Sequence, residues 1–218
     1  MQTRNAYPVK KMVLLAMMAA LAYVMMFFIR IPVVMFLKYE PKDVIITIAG
    51  FLFGPLSSFI ISFIVSLVEM VTVSDTGPIG ALMNLLSTCC FACTASFIYK
   101  KNRTLTGAIV ALGIGCVTMV FAMLLWNWLI TPIYLGYDRE VVAGMLVPVF
   151  LPFNLLKGGL NTAFVLFLYK PLVTALRKTG LIETREQVPG NGKTGTLLLG
   201  LVLLFTCVLL LLVFQGKI

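Results

Sequence analysis

The chain consists mainly of long runs of apolar residues separated by short polar breaks. Most runs contain roughly 18 to 22 residues, the length that a helix needs to cross about 30 Å of hydrocarbon. Long stretches lack the polar positions that recur every three or four residues on the solvated face of a soluble helix. The pattern predicts helical segments over residues 10–29, 43–54, 56–73, 79–99, 106–130, 147–175 and 195–214.

Two of the predicted segments differ in length from a single membrane span. Segment 43–54 is too short to span unaided, and Gly54-Pro55 separates it from the next segment, so the two are expected to form a tight helical hairpin or a bent pair. Segment 147–175 is long, which indicates a tilted or extended helix. The expected domains are a membrane domain at 1–179, a polar cytoplasmic linker at 180–194, and an appended transmembrane helix and tail at 195–218.

Composition and charge favour a multi-pass protein of the cell membrane. Hydrophobic residues make up 61% of the chain and charged residues 11%, whereas about a quarter of a soluble domain is charged. The net charge of +9 does not indicate nucleic-acid binding, because the basic residues gather at segment ends. If the spans alternate, three basic clusters share one side, which places the N-terminus in the cytoplasm. These clusters are Arg4, Lys10 and Lys11; Lys100, Lys101 and Arg103; and Lys170, Arg177 and Lys178.

Two features that resemble chemical motifs are interpreted as structural. The five cysteines lie in apolar runs and the chain contains no histidine, so the cluster CCFAC lacks the partners of a zinc site. The stretch GNGKTG ends like a phosphate-binding loop, but Gln187 stands where that motif needs glycine, and a membrane segment follows. The sequence therefore predicts no metal, no cofactor and no catalytic residues.

Polar residues inside the apolar segments are few and share one depth. With alternating spans, all of them fall in the outer half of the bilayer, where polar side chains usually face a cavity or a partner. Structural polar residues scattered through a bundle have no reason to share a depth, so the clustering predicts a binding site. The residues are Glu69, Asn84, Asn127, Asn154, Lys157 and Asn161.

Helical spacing arranges three of these residues along one face. Asn154, Lys157 and Asn161 stand at i, i+3 and i+7, which gives two amides and one cationic donor in a row. Such a row suits a flat heterocycle edged with carbonyls and ring nitrogens. The alternative is a structural network in which Lys157 pairs with Glu69.

Aromatic residues and an apolar loop flank the same level. The loop 30–43 is apolar for an external connection, which is consistent with a lid over the site. The aromatic residues belong either to the interfacial belt of a membrane protein or, for some of them, to a surface that stacks on a ligand. They are Trp126, Trp128, Tyr134 and Phe153.

Small residues in the first segment indicate a close helix contact. Ala16 and Ala20 are one helical turn apart, with Ala19 beside them, and small residues at this spacing let another helix approach closely. The contact is either internal packing or docking of a partner protein in the cytoplasmic half of the membrane.

These residues together resemble the substrate-binding S components of energy-coupling factor (ECF) vitamin transporters, and most closely those specific for riboflavin. The resemblance covers residues 8–178 and rests on the alanines, LKYEPKDVIITIAGFLFGP, WNWLITPIY and FNLLKGG. It implies an all-α integral membrane protein with a six-helix bundle, to which this chain adds a C-terminal transmembrane helix. It also implies a loop that caps an outward-facing pocket, and a location in a prokaryotic plasma membrane.

The resemblance also implies roles for individual residues. Asn127, together with Asn154 and Lys157, is similar to the ligand contacts of the family, and Tyr39 and Asp43 match its loop pattern. Ala16 and Ala20 resemble its docking motif for a transmembrane coupling subunit, which works with two ATPase subunits. The expected function is high-affinity riboflavin capture for ATP-driven import, without chemistry on the ligand. Alternatives are an S component for another vitamin, an intramembrane enzyme and a purely structural subunit.

Overall fold

The computed structural model describes residues 6–73, 77–178 and 193–214. This part of the chain forms ten α-helices and one short β-hairpin. The helices are α1 (Ala6–Phe28), α2 (Lys42–Phe53), α3 (Pro55–Thr72), α4 (Gly77–Thr88), α5 (Thr94–Lys101), α6 (Leu105–Leu129), α7 (Thr131–Leu135), α8 (Arg139–Met145), α9 (Leu151–Lys178) and α10 (Lys193–Phe214). The strands are β1 (Ile31–Val34) and β2 (Leu37–Tyr39).

All seven predicted segments are helical, and the prediction of an all-α membrane bundle is confirmed. Within the described residues, five helices are long and apolar enough to cross a membrane. Helix α10 has 22 residues, which at 1.5 Å per residue gives about 33 Å and is also sufficient for a span. The predicted linker at 180–194 lies largely outside the described residues. The five long helices cover Val9–Phe28, Pro55–Thr72, Gly77–Lys101, Leu105–Leu129 and Arg139–Tyr169.

The expected bent pair is formed by α2 and α3. Gly54 separates them with φ of 98°, a conformation that glycine adopts without steric cost. Pro55 then begins α3, a position where its missing N–H leaves no carbonyl unpaired. Helix α2 has only 12 residues, and its first ten are all buried. This short helix therefore lies at the centre of the bundle, surrounded by the longer ones.

Two π-helical turns interrupt the long helices, and the second of them packs beside the hairpin. Residues Cys89–Cys93 join α4 to α5, and Leu146–Phe150 join α8 to α9. Pro148 lies inside the second turn and Pro152 follows it, and proline cannot donate the backbone hydrogen bond of a regular helix. Such turns often occur at functional sites because they change the direction of the side chains beside them.

The loop after α1 folds into the β-hairpin. Its strands are antiparallel with Ile31 opposite Tyr39, and Met35 at the tip has a positive φ of 49°. Val33, Leu37 and Tyr39 are buried against α8, α9 and α10. The hairpin therefore covers one end of the helical bundle.

Candidate functional site

A cavity of about 320 Å³ lies beneath the hairpin, between α3, α4, α6 and α9. Small-molecule pockets usually measure roughly 300–1,000 Å³, so this cavity is large enough for a compact ligand. Its wall combines charged, amide, aromatic and thioether side chains. The lining residues are Arg30, Phe36, Leu37, Lys38, Glu40, Glu69, Met83, Asn84, Ser87, Met123, Asn127, Tyr134, Phe153, Asn154 and Lys157.

Five of the eight predicted ligand-binding residues line this cavity. They come from four helices that are far apart in sequence, which agrees with the shared depth inferred from the pattern. The five residues are Glu69, Asn84, Asn127, Asn154 and Lys157. The other three, Tyr39, Asp43 and Asn161, do not line it and lie in a buried layer behind the wall.

Lys157 and Asn154 form one polar wall of the cavity. The Lys157 ammonium donates to Ser87 Oγ at 3.1 Å and pairs with Asp43 Oδ2 at 3.2 Å, so one of its three N–H donors remains available. The Asn154 amide donates to the Phe150 carbonyl oxygen at 2.8 Å. Its Oδ1 accepts no hydrogen bond from the part of the chain that the structure describes. The wall therefore presents a donor and an acceptor to a bound molecule.

The buried layer holds Lys157 in place. Asp43 is fully buried at the start of α2 and accepts from Thr88 Oγ1 at 2.6 Å and from the Asn161 amide at 3.2 Å. Asn161 in turn accepts from the Tyr39 hydroxyl at 3.2 Å. A chain of hydrogen bonds thus connects the hairpin, through α9 and α2, to the cation in the cavity wall. Asn161, Asp43 and Tyr39 position the wall from behind.

The suggested pairing of Lys157 with Glu69 is wrong. Lys157 pairs with Asp43, because α2 packs between α3 and α9 and brings its own carboxylate to the lysine. Asp43 is therefore a second deeply buried acid beside Glu69. Sequence spacing gives the depth of a residue on its own helix, but the helix that faces it depends on packing.

Glu69 instead belongs to a second group of ion pairs. It pairs with Arg30 at 3.0 Å and with the buried Lys42, and it accepts from the Asn84 amide at 2.7 Å. Glu40 pairs with Arg30 at 2.8 Å and with Lys42 at 2.7 Å. Burial favours a higher pKa for Glu40, but the neighbouring Lys42 and Arg30 cations hold its pKa below the ordinary value. Both carboxylates are thus compensated, as buried charges require.

Asn127 closes the cavity on the side of α6. Its amide donates to the Met123 carbonyl oxygen at 2.7 Å, and its Oδ1 accepts from Thr131 Oγ1 at 2.9 Å. Thr131 begins α7, so this hydrogen bond also fixes the turn between the two helices. The second amide hydrogen of Asn127 remains as a donor.

Aromatic residues line the part of the cavity nearest the hairpin. Phe36 of the hairpin, Tyr134 of α7 and Phe153 of α9 all contribute to the lining, and the rings of Phe36 and Tyr134 meet edge to face at 6.1 Å between centroids. Trp128 is exposed and Trp126 lines only a small crevice beside the cavity. Tyr134 and Phe153 are therefore the two of the four flanking aromatics that reach the site.

Sequence reasoning missed Arg30, Glu40 and Lys42. The available signal was the stretch 30–43, which carries five charged residues among apolar ones. Charges in an external loop are ordinarily solvated. Here Lys42 is 1% exposed and Glu40 is 4% exposed, because the hairpin folds back and takes them into the bundle.

Ala16 and Ala20 do not line this cavity and face outward from the bundle. Both are exposed on α1, whereas Ala19 beside them is buried. Exposed apolar neighbours such as Met12, Met17 and Val24 extend the same surface. In this chain the pair therefore does not serve internal packing.

Membrane-spanning helices that surround a polar cavity are the architecture of a membrane protein that binds a small molecule. The chain belongs to the family of substrate-specific components of ECF transporters, whose model matches residues 10–169. It is thus a membrane transport component and not an enzyme. Helix α10 lies outside the matched range.

Individual relatives agree with this assignment. The chain is 27% identical to the riboflavin transporter RibU of Staphylococcus aureus, over 78% of this chain and 93% of that protein. It is 29% identical to the riboflavin transporter FmnP of Bacillus subtilis, over 69% of this chain and 85% of that protein. A solved S component of a bacterial ECF transporter superposes with a TM-score of 0.67 at 27% identity, covering 78% of this chain and 99% of that one.

Proposed function

We propose that this chain captures riboflavin in the cavity beneath the hairpin and delivers it for ATP-driven import by an ECF complex. The observation that carries the proposal is the wall formed by Asn154 and Lys157, which faces a cavity lined by aromatic rings. The naming of both similar proteins as riboflavin transporters supports the choice of vitamin. The function needs binding and release only, and no bond of the ligand changes.

The cavity offers polar groups to one edge of a flavin ring and apolar groups to its faces and its other edge. One edge of the isoalloxazine ring carries carbonyl oxygens and ring nitrogens, which pair with the free donor of Lys157 and the Oδ1 acceptor of Asn154. The faces and the dimethyl edge are apolar and suit Phe36, Tyr134 and Phe153. The hydroxylated ribityl chain suits the charged and amide groups that line the remainder of the cavity.

The hairpin is the proposed cover of the ligand. Phe36, Leu37, Lys38 and Glu40 all line the cavity, so the ligand cannot leave in this direction unless the hairpin moves. With the N-terminus in the cytoplasm, as the basic clusters favour, the hairpin follows α1 on the outer side. The cavity then receives its ligand from outside the cell.

Transport requires partners, which we propose to be a transmembrane coupling subunit and two ATPase subunits. The exposed Ala16 and Ala20 form the proposed docking surface, because small residues permit close approach of a second helix in lipid. On the assumed orientation this surface lies in the cytoplasmic half of the membrane, away from the ligand.

Titration of the purified chain with riboflavin tests the proposal. We expect flavin fluorescence to be quenched to saturation at one equivalent, because the ring becomes buried against aromatic side chains. The purified protein is also expected to carry the absorption bands of a flavin. No quenching and no heat of binding at micromolar riboflavin contradicts the proposal. Binding of a different vitamin under those conditions supports the alternative S-component function.

A further inference from the structure

Helix α10 packs closely against α9, with opposite direction. Gly200 lies beside Ala163, and Cys207 lies beside Gly159 nearer the hairpin. A Cβ atom on Gly159 would stand only 2.8 Å from Cys207 Sγ, so the absence of a side chain there lets the two helices approach. Close packing of this kind is what holds helices together in lipid. Helix α10 is therefore an integral part of the bundle.

The same part of α10 reaches the hairpin. Cys207 is buried in one apolar cluster with residues of the hairpin and of α9, and Leu204 and Leu211 pack against that cluster. Helix α10 also contacts β1 directly. The buried hairpin and α9 members of the cluster are Val33, Leu37, Tyr39, Phe153, Leu156 and Leu160.

The hairpin depends on this packing for its position. Its strands have four and three residues, and a two-stranded hairpin of that size is at best marginally stable alone. Leu37 belongs both to the cluster with α10 and to the lining of the cavity. Phe153 of α9 belongs to both as well, so a change at α10 is transmitted to the cavity through these side chains.

We propose that α10 holds the hairpin closed over the cavity, and that Leu204, Cys207 and Leu211 are its positioning residues. The effect of α10 on ligand release rests on the proposed function, because it concerns the rate at which captured riboflavin leaves the cavity. The effect on the hairpin itself does not depend on any ligand. Since α10 lies outside residues 10–169, this support is additional to the part of the chain that matches the family.

Amide hydrogen exchange of the ligand-free full chain tests whether α10 holds the hairpin in place. In Leu204→Ala and Leu211→Ala, backbone amides in residues 31–39 are expected to exchange about tenfold faster than in the parent. Cys207→Ala is a milder change that keeps the experiment usable if a leucine variant does not fold. The matched control is Phe205→Ala, whose side chain is exposed on the other face of α10. Unchanged exchange of the hairpin amides in the variants overturns the proposal.

The rate of riboflavin dissociation tests whether this packing slows release of the ligand. It is measured from the recovery of flavin fluorescence after dilution. The same variants are expected to release riboflavin roughly tenfold faster, with Phe205→Ala like the parent. Faster exchange of the hairpin with unchanged release overturns the role in retention. If the parent binds no riboflavin, the proposed function fails, and the exchange experiment alone still decides whether α10 holds the hairpin.

Discussion

The ammonium of Lys157 on α9 lies 3.2 Å from a carboxylate oxygen of the fully buried Asp43 on α2. This ion pair joins the wall of the cavity to the innermost helix of the bundle. The same lysine is therefore expected to serve two purposes, binding the ligand and compensating a buried charge. Experiments on Lys157 must separate these two effects.

Lys157→Met removes the charge and its donors while keeping most of the side-chain length. A hydrogen bond to a charged group contributes about 1.5–3 kcal/mol, so riboflavin affinity is expected to fall roughly 10- to 150-fold. The variant also leaves Asp43 without a cation, and breaking a buried pair costs about 3–5 kcal/mol of stability. Affinity by fluorescence titration and the melting temperature are measured on the same sample.

The double variant Lys157→Met/Asp43→Asn distinguishes the two effects. Removing the buried negative charge is expected to restore much of the melting temperature, because no uncompensated ion remains. Riboflavin affinity should stay low, since the ammonium is still missing. Recovery of affinity together with stability would show that Lys157 acts only through the fold.

Asn154→Leu tests the neutral half of the wall at similar side-chain volume. A neutral hydrogen bond contributes about 0.5–1.5 kcal/mol, so affinity is expected to fall roughly 2- to 12-fold, less than for Lys157→Met. Thr206→Val on the exposed face of α10 is the control and should change neither affinity nor melting temperature. If Asn154→Leu folds normally and binds riboflavin like the parent, this part of the wall does not contact the ligand.

Ala16→Trp and Ala20→Trp place a bulky residue on the proposed docking surface. Both positions are exposed, so the isolated chain should fold and bind riboflavin normally. Uptake by cells and co-purification with a coupling subunit are expected to fail, because close helix approach is blocked. Loss of riboflavin binding in the purified variant would argue against a role confined to docking. Val117→Trp, exposed on α6, is the control that reports whether a bulky residue on any exposed helix face has the same effect.

Gly50→Ala tests the packing that places α2. A methyl group at Gly50 would collide with Ser58 Oγ and Ser96 Oγ from neighbouring helices, so α2 must shift or the two serines must turn. The melting temperature is expected to fall, and riboflavin affinity with it, because Asp43 is on the same short helix. Gly113→Ala is the matched control, since nothing lies within 4 Å of a Cβ at Gly113. Equal melting temperatures for the two variants would contradict this packing.

The sequence predicted the helices well because their signal is local. Length, hydropathy and the Gly54-Pro55 break determine where segments begin and end, and these boundaries agree with the structure to within a few residues for most helices. The exception is the sixth segment, expected at 147–175, whose spanning region already begins at Arg139. The sequence gives two signals against a continuous helix there, the charged residues at 138–140 and Pro148, which lies in a π-helical turn.

The residues that line the cavity were largely predictable, but their ion pairs and hydrogen bonds were not. Asn127, Asn154 and Lys157 were predicted because polar residues in apolar segments are rare, and all three line the cavity. The partner of Lys157 was not, because Asp43 reaches it only through the packing of α2 between two longer helices. Arg30 and Lys42 were missed for a similar reason, since a charge in a loop gives no local sign that the loop will fold inward.

The short, central helix α2 has a consequence for how the protein is made. Its 12 residues extend only about 18 Å, well short of a bilayer, and it begins with a lysine and an aspartate. Asp43 pairs with the Lys157 cation and accepts from Asn161, 118 positions further along the chain, so during synthesis the acid is made long before the cation that compensates it. Asp43 therefore lacks this partner until α9 has been synthesised, and the cavity, which α9 helps to line, is complete only then.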